Sequence, residues 1–150
     1  MIRSAARLQG LDAMRAEGRG KGVLPTQLLR AARVFDEKRV RELVAAGAKL
    51  DLVDGAGWSA LHRTSNSGHA RITKLLLDGK YEGKGADINL QSDDGWTALI
   101  LASLQGQLAV VRLLLERGAD VTLQSTTGTA LSRAANGRTK ALLHAYGATE

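Results

Sequence analysis

The stretch "SDDGWTALILASLQGQLAVVRLLLERGADVTLQ", residues 92–124, decides the architecture of this chain. Asp94-Gly95 is a tight-turn signal, because glycine takes a positive φ without steric cost. Thr97 stands where a helix would begin, its hydroxyl able to accept from a first-turn N–H that has no partner inside the helix. Ala98 follows at the first helical position, and Leu99, Leu101 and Ala102 supply a short apolar face. Gly106 would stop that helix by admitting a left-handed residue. Val110, Val111, Leu114 and Leu115 then recur with the spacing of a second amphipathic helix, and Gly118 ends it by the same means.

The unit repeats. "GWSALH" (57–62) matches "GWTALI" (95–100), Gly68 matches Gly106, and Ile72, Leu75, Leu76 and Leu77 match Val110, Leu113, Leu114 and Leu115. Thr26, Ser59, Thr97 and Thr129 form a hydroxyl series spaced 33, 38 and 32 residues, each followed two residues later by leucine. Gly47-Ala48, Gly85-Ala86, Gly118-Ala119 and Gly147-Ala148 form a second series spaced 38, 33 and 29. A period near 33 signals stacked repeats and not one closed core. The expected fold is an all-α repeat solenoid of helix-turn-helix units with short β-turn or hairpin connections. Four units fall at about 24–53, 54–91, 92–124 and 125–150, behind a basic arm at 1–23.

Composition agrees. Of 150 residues 44% are apolar but only 3% aromatic, so Leu and Ala must fill thin, close-set helices. There is no cysteine, which removes disulfides, thiolate zinc sites and a thiol nucleophile. That usage suits a reducing, cytoplasmic setting. No apolar run approaches the ~18–20 residues a membrane span needs, and no secretory leader is visible. The net charge of +6 is concentrated towards the two ends, with 54–93 balanced.

Catalytic and metal chemistries find no footing. His62, His69 and His144 form no H-x-x-x-H pair, and no carboxylate joins two of them at ligand spacing. Asp87 to Gln91 faintly resembles the opening of a calcium loop but lacks its glycine and its closing glutamate. "GRGKG" (18–22) lacks phosphate-loop spacing. No serine sits in a G-x-S-x-G elbow. The sequence therefore reads as non-enzymatic, with no cofactor and no metal.

With these residues in view, the chain resembles the ankyrin-repeat family. The resemblance is carried by "GWSALH", "GWTALI", "SGHARITKLLL" (67–77), "QGQLAVVRLLLERGADVT" (105–122) and "GKGADINLQSDDG" (83–95), and spans roughly 24–150. It departs from the family where proline before the helix leucine gives way to Ala60, Ala98, Ala130 and Gln27. Only His62 keeps the family's histidine after that leucine. The first unit places Phe35-Asp36 where Gly-His would fall, and the last is about three residues short, so both read as caps. A stack needs polar ends; Arg33, Lys38, Arg39 and Arg41 at one end and Arg138, Lys140 and Glu150 at the other would supply them.

The resemblance implies a protein-binding module whose turns project to one side above a concave floor of first helices. Its implied contact residues are Trp58, Gln91, Asp93, Asp94, Trp96, Gln124, Thr126 and Thr127 at the turn tips, with Val53 and Ala56 beside them. On the floor they are Asn66, Ser67, Leu104 and Gln105, with Arg33, Val34 and Asn136. Trp58 and Trp96 hold equivalent places and should share one edge, either as exposed anchors or as covers for their own turns. Leu104 is either an anchor or packing. The partner expected is another protein, bound by a monomer.

Two features stand outside the repeat. Five extra residues follow the second helix of unit two (79–83), and three glycines in 79–85 predict a mobile surface loop, with Tyr81 as its one aromatic. The arm admits three readings: an added cap helix, an unstructured extension, or a basic segment for organelle targeting or an anionic surface. Association with nucleic acid or an anionic membrane through that arm is the alternative function. Nucleic acid is disfavoured, because the tips carry Asp93 and Asp94 and no aligned cations.

Overall fold

Each repeat folds from local capping upward. In the computed structural model, which describes residues 23–149, Ser59, Thr97 and Thr129 each cap a helix, accepting from the backbone N–H of His62, Ile100 and Ser132. Left-handed glycines close the other ends: Gly68 and Gly106 follow first helices, and Gly47, Gly118 and Gly147 follow second helices. The result is four helical hairpins. They are α1 (Val23–Arg33) with α2 (Glu37–Ala45), α3 (Ala60–Ser67) with α4 (Ala70–Asp78), α5 (Ala98–Leu104) with α6 (Leu108–Glu116), and α7 (Ala130–Arg133) with α8 (Gly137–Ala145). Among the described residues one two-stranded ribbon, β1 (Gln124–Ser125) with β2 (Gly128–Thr129), is antiparallel and leads into α7.

Every first helix packs on the first helix of the next unit, and every second helix on the next second helix. This is translational stacking, the all-α solenoid that the sequence predicts. The core runs continuously through it: Leu28, Leu61, Leu99 and Leu131 on the first helices and Leu43, Leu76, Leu114 and Leu143 on the second are all buried. Burial of such side chains stabilises the stack by about 25 cal/mol per Å² of apolar area removed from water.

The ends differ from the interior. Val40, Thr73, Val111 and Lys140 are equivalent, each donating its N–H to the carbonyl of the residue just before its second helix. The first three are buried, whereas Lys140 is exposed, as is His144 where Leu115 is buried. Ser132 and Arg133 are likewise exposed where Ile100 and Leu101 are buried. At the other end Arg39 and Glu42 take the places of Val110 and Leu113 and pair with each other at 3.4 Å. Neither end presents the apolar flank that the interior units bury. Glu150, expected at the second end, lies outside the described residues.

One sequence expectation is corrected and two others are made specific. Thr26 does not cap: the described part of α1 already begins at Val23, so Thr26 lies inside it. Pro25 is tolerated in that first turn, where a missing N–H costs no hydrogen bond. The second helix of unit two stops at Gly79, which is extended (φ −61, ψ 159), so the extra residues follow it ahead of Gly85 as the spacing predicts. The insertion, expected as a mobile surface loop, carries a hairpin turn. Tyr81 and Lys84 exchange both backbone hydrogen bonds (2.9 and 3.0 Å) across Glu82 (φ 52) and Gly83 (φ 82). Two consecutive positive φ values make the tight turn whose twist suits a hairpin. The repeat then resumes in register: Ala86 donates to Leu76, just as Ala119 donates to Leu114 and Ala48 to Leu43.

Candidate functional site

The turns before α3, α5 and α7 form a row of fingertips, and each is built by one polar side chain. Asp54 Oδ1 accepts from the N–H groups of Ala56 (2.9 Å) and Trp58 (3.0 Å), and its Oδ2 pairs with Arg63 at 2.7 Å. Burial alone would raise the Asp54 carboxyl's pKa, but these hydrogen bonds bring it below the ordinary value. Ser92 does the same work for the next tip, its Oγ accepting from Trp96 N–H at 3.1 Å. Ser125 Oγ accepts from Thr127 N–H at 3.1 Å in the third.

Neighbouring tips are joined through their backbones. Asp93 N–H donates to Ala56 C=O (3.1 Å) and Thr126 N–H to Asp94 C=O (2.9 Å). Gln91 adds a clamp, donating from Nε2 to the carbonyls of Gly95 and Gln124, both at 3.1 Å. The approach is close enough to require glycine. A Cβ on Gly57 would lie 2.6 Å from the Asp93 nitrogen, and one on Gly95 3.0 Å from the Gln124 oxygen. Both residues are also left-handed (φ 80 and 81).

His62 ties the tips to the floor. Its Nδ1 accepts from Ser59 N–H (3.0 Å), and its Nε2 lies 2.8 Å from the carbonyl of Trp96 in the next unit. That carbonyl only accepts, so Nε2 carries the proton and the ring is neutral. Burial holds its pKa below the ordinary imidazole value. With both nitrogens engaged, His62 is a joint between repeats. His69 stacks on Phe35 (3.8 Å between centroids), and His144 Nδ1 lies 3.0 Å from Ala148 C=O. In the calcium-loop lookalike Asp87 Oδ1 accepts from Asn89 N–H, and Asn89 Oδ1 from Asp120 N–H, so both bind the backbone of the stack.

The two indoles sit differently. Trp58 is half-buried, with the Arg63 guanidinium 4.6 Å above its ring and His62 at 6.1 Å. Trp96 packs against the core cluster, which Trp58 does not. Among the described residues the two rings make no ring-to-ring contact. Asp93, Asp94, Gln91, Gln124, Thr126 and Thr127 are exposed along the tip row.

On the floor Asn66 meets Gln105, whose Nε2 donates to its Oδ1 at 3.3 Å, and Gln107 donates to the Asn66 carbonyl at 3.1 Å. Ser67 is exposed and Leu104 half-buried. The structure thus brings the tip residues together as one ladder and the floor residues Asn66 and Gln105 together as a pair. The sequence reading missed Asp54, Ser92, Arg63 and Gln107. Asp54 and Ser92 were findable, since Asp and Ser two to four residues before a turn commonly bond its N–H groups.

The described cavities lie largely elsewhere. One of about 700 Å³ is bounded by the insertion hairpin (Tyr81, Glu82, Lys84) and by Lys49, Asp51 and Leu52 of unit one. There, burial raises the pKa of Asp51 although it accepts from Asp87 N–H at 2.7 Å. Another of about 710 Å³, near the last unit, touches the tip row only at Gln124. Among the described residues no group of three or more acidic or His/Cys side chains could hold a metal, and no helix is long and apolar enough to cross a membrane.

Helical hairpins in register, joined by a ladder of turns, define a helical repeat scaffold, and a scaffold of this kind offers surface. A family model for ankyrin repeats, three copies long, matches residues 28–125 and again 84–148. The chain belongs to the ankyrin-repeat family. No curated protein matches it significantly. Ankyrin repeats generally serve protein–protein interaction and are typically non-catalytic.

Proposed function

We propose that this protein is a non-catalytic module that binds another protein along its fingertip edge and the adjoining floor of first helices. The contact set is Trp58, Gln91, Asp93, Asp94, Trp96, Gln124, Thr126 and Thr127 on the tips, and Asn66, Ser67, Leu104 and Gln105 on the floor. The observation that carries the reading is the inter-tip backbone ladder, Asp93 to Ala56 and Thr126 to Asp94. A surface held this way is ordered before a partner arrives, so association loses little conformational entropy on this side. A standard protein–protein interface buries about 1,600 Å² in total. Polar ends support a monomer, and the absence of cysteine supports a reducing, cytoplasmic location.

The test is affinity capture with wild type beside a Trp58→Ala/Trp96→Ala/Gln124→Ala bait. Partners held by wild type and lost by the triple variant are expected. If both baits capture the same set, the binding surface lies elsewhere. A melting curve of the triple variant separates lost contact from lost fold. Because Trp96 alone of the pair packs on the core, its truncation should carry most of any fall in Tm.

A further inference from the structure

The basic arm at 1–22 and its three readings lie outside the described residues. At the other end of the chain Asn136 and Gly137 form the sole Asn-Gly step in the sequence; Asn66 is followed by Ser67 and Asn89 by Leu90. An asparagine side chain is open to attack by the backbone nitrogen of the residue after it. That reaction needs an unengaged nitrogen, an open flank, and stabilisation of the negative charge that gathers on the side-chain oxygen.

The structure meets all three needs at this step. Gly137 opens α8, where a first-turn N–H has no partner inside its helix. Among the described residues no hydrogen bond holds that N–H. A Cβ built on Gly137 would meet nothing within 4 Å, and both residues are exposed. Asn136 Oδ1 accepts from two donors at once, the Thr139 N–H at 3.0 Å and the Thr139 hydroxyl at 3.1 Å. Thr139 is fully buried, so both donors are held in place. Donors fixed where charge develops lower a barrier without having to reorganise. The other asparagines lack this set. Leu90 N–H already donates to Asp87 C=O at 3.3 Å, and Asn66 lies within α3.

The product has a precedent in the same stack. Asp36, His69, Gln107 and Asn136 each precede a second helix, and of these Asp36 and Asn136 cap it with a side chain. A carboxylate at position 136 would therefore stand where the first unit already has one, at the positive end of the helix.

We infer that Asn136 is a self-modifying cap, converted in the folded chain to aspartyl and isoaspartyl forms by the donors that hold it. The Gly137 N–H yields its proton to water and its nitrogen bonds to Asn136 Cγ, while Thr139 stabilises the charge on Oδ1. The Cγ–Nδ2 bond breaks, Nδ2 takes up a proton and leaves as ammonia, and a five-membered imide remains. Water then opens the ring. Attack at Cγ breaks its bond to the Gly137 nitrogen and gives an aspartyl cap like Asp36. Attack at the backbone carbonyl gives the isoaspartyl form, whose main chain is one methylene longer and whose cap is lost.

The test keeps the full chain folded in mildly alkaline buffer beside a sample in urea. Trypsin releases residues 134–138, Ala-Ala-Asn-Gly-Arg, and mass spectrometry reads the change from amide to acid. The expected result is conversion at 136 in the folded chain, ahead of any at Asn66 or Asn89. Thr139→Val removes the hydroxyl donor and should slow conversion at least about tenfold, less than the ~10²–10³ lost in a closed active site. Val110 is buried at the equivalent place in unit three, so the variant keeps the fold, and a melting curve checks that. A folded chain that keeps its amide overturns the inference; loss of the amide in urea alone would mark the cap as a shield. Equal or faster conversion in Thr139→Val overturns it as well.

Discussion

The interior of the stack and its two ends are built on one register but with opposite chemistry. Inside, Val111 and Leu115 are buried; in the last unit the same places hold exposed Lys140 and His144, and in the first unit Arg39 and Glu42 stand for Val110 and Leu113. Among the described residues the helices at the ends therefore owe their apolar burial to one neighbouring unit, while interior helices owe it to two. In a stack whose stability is a sum of unit and interface terms, the middle units should hold longest and the ends should open first.

Exchanging the two chemistries breaks the comparison most sharply. Val111→Lys places the last unit's residue in the interior and buries an unpaired ammonium, at a cost of several kcal/mol. Loss of the cooperative transition in a denaturant melt is expected. The mirror change, Lys140→Val with His144→Leu, should leave the melting midpoint nearly unchanged. It gives the stack an apolar end, so sedimentation should show concentration-dependent self-association.

A smaller effect concerns the first interior interface. Ser65 and Ser103 occupy equivalent buried places on α3 and α5, and among the described residues neither hydroxyl has a hydrogen-bond partner. Unit one has buried Ala32 there. Ser65→Ala and Ser103→Ala should each raise stability by about 1 kcal/mol, because an unsatisfied buried hydroxyl is removed and alanine favours the helix. A lowered Tm for both would mean that the hydroxyls are satisfied in solution.

The smallest effect is in pH. His62 is buried and its pKa is lowered from 6.5, so below that value the unfolded chain binds a proton that the folded chain refuses. Stability should fall as pH drops from about 7 to about 5. The fall should be shallower in His62→Gln, provided comparison is made on slopes and not on absolute midpoints.

Much of this was legible in the residues. Hydroxyl, leucine and glycine series gave the stack because caps and helix ends depend on local chemistry that a sequence displays. The exceptions have physical reasons. Glu82 takes a positive φ that glycine would advertise, so a run of glycines read as a mobile loop and the hairpin turn within it stayed hidden. Phe35 likewise adopts φ 58 at a place where Gly68 and Gly106 stand, and its ring stacks on His69 of the next unit. Thr26 fits the series by spacing, but the residues just before it, from Val23, are already helical. The tip ladder itself is a tertiary fact: Asp93 and Thr126 were named as contacts for their side chains, while their backbone N–H groups do the joining.

The claim that the tip row is ordered in advance of any partner is tested most directly by amide hydrogen exchange on the free protein. The N–H groups of Asp93 and Thr126 should exchange far more slowly than unstructured amides, and Gly57→Ala, which crowds Asp93, should release the first while sparing the second. Exchange of both at unprotected rates in the wild-type chain would contradict the account.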